Sequence, residues 1–179
     1  MLFRSRRGLA VAVVDVPSDR QGLVGFRQTR DHVTDIKAVI AWLRQETKLP
    51  VWLVGTSRGT QSAAYIAIQL PPDAGGPDGV VLTSSMLLDK REWPVPNMSL
   101  DRISVPVLVV HHKQDGCRAT LASDLSRLTN QLKHLKRTET LLFEGGKDEG
   151  DACEAFAHHG YNGIEADVVE KIAEWILKP

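Results

Sequence analysis

Cysteine, aromatic residues and net charge are all scarce in this sequence. Two cysteines among 179 residues exclude a disulfide-dense scaffold. Without a CxxC or clustered Cys/His spacing, no metal site is expected. Lysine plus arginine number 22, as do aspartate plus glutamate. The totals therefore supply no basic face, and neither nucleic acid nor a membrane is expected as a partner. No apolar run exceeds six residues, far short of the ~20 that a spanning helix needs. Arg4, Arg6 and Arg7 imitate the charged start of a signal peptide. The imitation fails because Asp15 ends the apolar stretch early and no small-residue cleavage site follows. Repeats and low-complexity tracts are also missing.

What remains is the composition of an ordinary folded domain, 42% hydrophobic and 25% charged. Disorder and collagen-like repeats are excluded. A chain of this length buries roughly 70% of its unfolded surface, enough for one core. A single domain spanning 1–179 is expected.

Strand and helix patterns alternate along it. Leu9 to Val14 is a continuous apolar run, read as a strand buried on both faces. Val33, Ile36, Ile40 and Leu43 recur at helical spacing and predict a helix over about 30–47. Val51–Val54 reads as a second buried strand, followed by a turn at Gly55–Gly59 and an Ala-rich helix from Arg58 to Leu70. Gly79–Thr83 and Val105–Val110 are further strands, separated by an irregular stretch over 85–104. Leu121, Leu125, Leu128 and Leu132 predict a helix over about 120–134. Thr140–Phe143 is a fifth strand. Asn162 and Glu165 have capping-box spacing ahead of a last helix with Val168, Val169, Ile172 and Ile176 on its apolar stripe. This order implies an α/β domain, a mostly parallel sheet with helices on both faces. Ligands in such sheets bind beyond the carboxyl ends of the strands.

The most informative segment is Gly55-Thr56-Ser57-Arg58-Gly59, a Gly-x-Ser-x-Gly between a strand and a helix. A sharp turn there lifts a serine hydroxyl above the sheet, and small residues two positions either side let the backbones pass. Serine needs a base to act as a nucleophile. Of the six histidines, His32 and His134 fall on predicted helices and are expected on solvated faces. His111 and His112 finish the fourth strand. His158 and His159 lie in the loop before the last helix. His159, immediately before Gly160, is the preferred base, with His158 as its alternative. The base needs a carboxylate on its far nitrogen. Asp115, in the turn after the fourth strand, is preferred; Asp89 is the main rival, and Asp148 and Asp151 are others.

The order Ser57, Asp115, His159 is that of α/β-hydrolases, and the sequence resembles that superfamily over nearly its whole length. Gly55–Gly59 is similar to its nucleophile elbow, the Asp115 turn to its acid loop and His159-Gly160 to its histidine loop. The resemblance implies a serine hydrolase that cleaves a small or medium acyl ester through an acyl-enzyme, with no cofactor. A thioesterase or peptidase of the same fold is the alternative within enzymes. The Arg58 backbone N–H is the expected oxyanion donor. Members of the superfamily normally take a further donor from a loop after an earlier strand, and no such segment precedes Leu9. The resemblance therefore implies an N-terminally truncated version, in which Leu9–Val14 pairs differently or another chain fills the vacant place as an oligomer. A catalytically inert fragment acting as a binding module is the alternative outside enzymes.

Placement singles out further residues. Ser18 and Arg20, in the loop after the first strand, are candidates to line the site. Arg58, through its guanidinium, is a candidate to attract an anionic group. The 85–104 stretch, with Trp93, is a candidate lid or pocket wall. Cys117 and Cys153 fall in loops expected to be adjacent, so a disulfide between them is expected. That bond favours a periplasmic or secreted location; free thiols favour the cytoplasm.

Overall fold

The computed structural model describes residues 2–4 and 8–178. The side chains of Arg4, Arg6 and Arg7 lie outside this description. Its centre is a four-stranded, all-parallel sheet in the order β3-β4-β5-β6. The strands are β3 (Trp52–Thr56), β4 (Gly79–Thr83), β5 (Val107–His112) and β6 (Thr138–Phe143). Pro106 has no N–H to give to the ladder, so β5 starts one residue beyond it, two later than the apolar run suggests.

Side-chain alternation divides the core into two layers. Val80, Leu82, Val107 and Val109 point to the face covered by α2 (Arg58–Gln69), where Ala63, Ala64 and Ala67 allow close approach. Val81, Leu108 and Val110 point to the opposite face, covered by α4 (Glu165–Leu177) through Val168 and Trp175. The helix α1 (Arg30–Thr47) packs Ile36 and Ile40 against Ile66 of α2 and Leu70, its C-cap. Its first turn is capped by Thr29, whose hydroxyl accepts from His32 N. Helices thus cover both faces of a parallel sheet.

Four sequence expectations are corrected. Leu9–Val14 does not form a buried strand of the main sheet. Only β2 (Ala10–Ala12) is a strand, paired antiparallel with β1 (Leu2–Arg4) in a separate hairpin. Val11, Val13 and Val14 are exposed, because this hairpin pairs outside the main sheet. The 120–134 segment is not one helix. It divides into 3-10 turns around the four-residue α3 (Ser126–Thr129). Leu125, Leu128 and Leu132 are nevertheless buried, so the leucine spacing read burial correctly and helix length wrongly. Ser, Thr, Asp and Asn in that stretch offer the backbone local alternatives to a continuous helix. The capping box is not made either. Glu165 accepts from Gly163 N, while the Asn162 amide donates to Phe156 O. Val169 is 63% exposed, so it lies off the stripe that Val168 anchors.

Among the described residues β3 has no strand on its other side. Val51 and Ser57 bond toward β4. Alternation therefore turns the N–H and C=O groups of Trp52, Val54 and Thr56 to the open edge. Between that edge and the Leu9–Asp15 segment runs an apolar cleft of about 660 Å³. Ile36, Val39, Ile40 and Leu43 of α1 also line it.

Candidate active site

Ser57 follows β3 directly and occupies φ 51°, ψ −119°, a conformation that costs a non-glycine residue about 1–3 kcal/mol. Gly55 makes the turn possible: a Cβ there would lie 2.4 Å from Gly59 O. A Cβ at Gly59 would meet nothing within 4 Å. The second glycine of the motif faces the open cleft and has no close neighbour to clear. Ser57 N donates to Thr83 O at 3.0 Å. The side chain of Ser57 does not cap α2. Its hydroxyl points to Met86 Sδ at 3.8 Å.

Asp115 lies in a turn closed by Asp115 N donating to His112 O. Its side chain is fully buried. Oδ1 accepts from Cys117 N at 3.0 Å. Oδ2 accepts from the Thr120 hydroxyl at 2.9 Å and lies 3.0 Å from His159 Nδ1. Thr120 Oγ1 is also 3.1 Å from His159 Nδ1. Because the Thr120 proton is given to Asp115, its lone pair is free for the Nδ1–H. This network favours the tautomer with Nδ1 protonated, which leaves Nε2 to take a proton.

The backbone of His159 is anchored at the same rim. Ser84, immediately after β4 and at φ 43°, donates its hydroxyl to His159 O at 2.7 Å. Tyr161 donates to Val110 O and accepts from Ser84 N. Burial pushes the Tyr161 phenol up to about 12, so it remains a donor at neutral pH. Gly160 is required, since a Cβ there would meet Ala155 O at 2.2 Å. Thr56 is opposite Thr83 in the ladder. Ser57 and Ser84 therefore end neighbouring strands, about 4.8 Å apart. Ser57 and His159 do not share a hydrogen bond in this arrangement.

The rival residues are engaged elsewhere. Burial raises the Asp89 carboxyl, but hydrogen bonds from Arg91 N–H, Gln61 and Arg58 outweigh it and hold the group below its usual range. Those bonds tie Asp89 to α2. Asp148 is near His158, and Asp151 accepts from Cys153 N. The His158 ring stacks on His112 with centroids 4.3 Å apart. The Arg58 guanidinium is 2.9 Å from Asp89 and 3.7 Å from Glu92, so its charge is already matched. Arg20 lies over the Phe26 ring and 3.9 Å from Asp31; Ser18 is exposed beside it. Trp93 is 63% exposed, and its backbone exchanges hydrogen bonds with Gln28. The hydrogen bonds and ion pairs of these three residues do not involve Ser57.

His32 is not solvated. It is buried, with Nε2 3.0 Å from Ser62 Oγ. His134 is exposed and binds the carbonyls of Gln131 and Ile103. Burial lowers the pKa of His32, His111 and His112 below the ordinary 6.5. Unfolding lets these imidazoles take up protons near pH 6.5. Their contribution to stability is complete above that pH and falls as pH drops below it. Thermal unfolding followed from pH 7.5 to 5 should show Tm falling from about 6.5 downward; a flat profile would contradict this.

Cys117 and Cys153 form a disulfide with Cα atoms 4.6 Å apart, closing a separation of 36 residues. It joins the Asp115 loop to the His159 loop. Loop-closure entropy assigns such a bond about 4 kcal/mol. Replacing both cysteines by serine should lower Tm by roughly 10 °C. A differential scan of the double variant that overlays the parent would refute the estimate.

Thr120, Ser84 and Tyr161 were not found from the sequence. Ser84-Ser85, a small polar pair directly after a strand, was the one usable signal. Thr120 and Tyr161 act only through tertiary contacts. Among the described residues, three or more His, Cys, Asp or Glu are nowhere grouped to hold a metal ion, and none of the helices is long and apolar enough to cross a membrane.

No family model and no curated protein matches this chain. Solved structures do. An alpha-beta serine hydrolase homologue from Coxiella burnetii superposes with a TM-score of 0.53 at 18% identity, over 82% of this chain and 58% of that one. A gene product of Listeria innocua gives 0.55 at 18% identity, over 83% and 66%. An acetyl ester-xyloside bifunctional hydrolase from Caldicellulosiruptor lactoaceticus gives 0.51 at 17% identity, over 80% and 64%. The chain thus spans less than two thirds of the length of each. With helices on both faces of a parallel sheet and these likenesses across four fifths of the chain, the fold is α/β-hydrolase-like.

Proposed function

We propose that the protein is a serine hydrolase that cleaves a small or medium acyl ester. The observation that carries this reading is the Asp115–His159 pair, buried at the strand rim that also bears the strained Ser57. The reaction requires the Ser57 hydroxyl to turn from Met86 Sδ to His159 Nε2. Oγ attacks the ester carbonyl as its proton passes to Nε2, and the Arg58 N–H donates to the oxyanion. Asp115 fixes the imidazole and stabilises its charged form. Collapse expels the alcohol, which takes the proton from Nε2. Water, deprotonated by His159, then releases the acid and regenerates Ser57. The same steps serve a thioester or an amide with a different leaving group. A neighbour named as an acetyl ester hydrolase supports the ester. The disulfide fits a periplasmic or secreted location.

The open edge of β3, with Val54 56% exposed beside the apolar cleft, favours a second reading. In it the chain is a binding module that accepts a strand from another chain or copy and has no turnover. A fluorophosphonate probe separates the two. Stoichiometric capture mapped to Ser57 supports the hydrolase; an intact protein that captures none supports the module.

A further inference from the structure

Thr60 is a fully buried polar residue on the first turn of α2. Its hydroxyl donates to Ser57 O at 2.5 Å, and its backbone N donates to the same oxygen at 2.9 Å. The hydroxyl oxygen also accepts from Met86 N at 3.1 Å. One side chain therefore grips the nucleophile's carbonyl and fastens it to the segment after β4.

That carbonyl belongs to the peptide unit that carries the Arg58 N–H. A trans peptide is planar, and its C=O and N–H point in opposite directions. Fixing Ser57 O toward Thr60 therefore fixes the Arg58 N–H away from the helix, on the side from which an ester carbonyl would approach. A backbone N–H at the first helical position has no partner within its own helix, so its direction is set by how its peptide plane is held. The peptide also adjoins the unfavourable Ser57 conformation, φ 51°, and needs a restraint to keep its orientation. Met86, bonded through its backbone to Thr60, presents the sulfur that Ser57 Oγ touches. Nucleophile and oxyanion donor are thus referred to the same buried hydroxyl.

We infer that Thr60 is a positioning residue: it holds the peptide between Ser57 and Arg58 so that the Arg58 N–H meets the oxyanion. This rests on the serine hydrolase reading. A misdirected donor loses transition-state stabilisation while leaving ground-state binding intact, so the effect belongs in kcat and not in KM.

The experiment compares the full chain with Thr60→Val, which keeps shape and loses the hydroxyl, and Thr60→Ser, which keeps the hydroxyl. Readouts are p-nitrophenyl acetate kinetics, inhibition by phenylboronic acid as a tetrahedral mimic, and Tm. Thr60→Val is expected to lower kcat by roughly 10–100-fold. KM should stay within about twofold, and phenylboronic acid should bind roughly tenfold more weakly. Thr60→Ser should return kcat to near the parent value. Parent-like kcat in Thr60→Val overturns the inference, and so does an equal loss of kcat and Tm in both variants, which marks a purely structural role. If valine prevents folding, Thr60→Ala removes the same hydroxyl, and parent-like kcat there overturns it equally. A parent protein inert to fluorophosphonate removes the hydrolase reading and this inference with it. A reactive parent with an unaffected Thr60→Val removes this inference alone.

Discussion

Replacing Ser57 with alanine is expected to abolish fluorophosphonate capture and to lower p-nitrophenyl acetate turnover by at least about 10³-fold. The argument is positional. Ser57 alone combines a strained turn between strand and helix, a hydroxyl free of capping duty and a place beside the histidine loop. Thr56 Oγ1 accepts from Thr83, and Thr60 is committed to Ser57 O and Met86 N. Neither occupies the positive-φ turn position that Ser57 holds. Alanine removes only one long contact to Met86 Sδ and keeps the backbone strain, so Tm should barely change. Turnover that survives in a well-folded Ser57→Ala protein would end the hydrolase reading.

Asp115→Asn is expected to lower kcat by about 10⁴-fold. Every orientation of the new amide is wrong. With its NH₂ at the Oδ1 position it faces the Cys117 N–H, another donor. With its NH₂ at the Oδ2 position it faces the Thr120 hydroxyl and His159 Nδ1, and pushes the imidazole toward the tautomer that leaves Nε2 protonated. A lower Tm should accompany the change, because a buried acceptor of three hydrogen bonds is lost. Asp148→Asn is the matched control. It touches His158 and not His159, and its kcat should stay near that of the parent. Equal losses in the two variants would show that Asp115 is not the group that orients His159.

Ser57 and Asp115 are legible because each lies just past an apolar run that ends at the sheet rim, and His159 because it stands before Gly160 in the loop ahead of the last helix. Ser57 follows Val51–Val54 within a glycine-framed turn, Asp115 follows β5, and His159 precedes the last helix. Their partners left no such trace. Thr120 bridges acid and base from five residues downstream. Ser84 and Tyr161 hold the histidine loop across long sequence separations. The Leu9–Val14 run misled for the converse reason. An apolar sequence states a preference for burial, but burial needs a neighbour, and those valines line a cleft instead. Gly59 teaches the same lesson, since a motif glycine has steric work only where something presses on it.

The bare flank of the sheet bears on solution behaviour. Amides at Trp52 and Val54 that no other strand claims among the described residues, next to an oily trough, are a template on which foreign chains can extend the ladder. Lysine or proline in place of Val54 would blunt that template. The Val54 N–H is directed away from β4, so proline there would sacrifice none of the existing rungs.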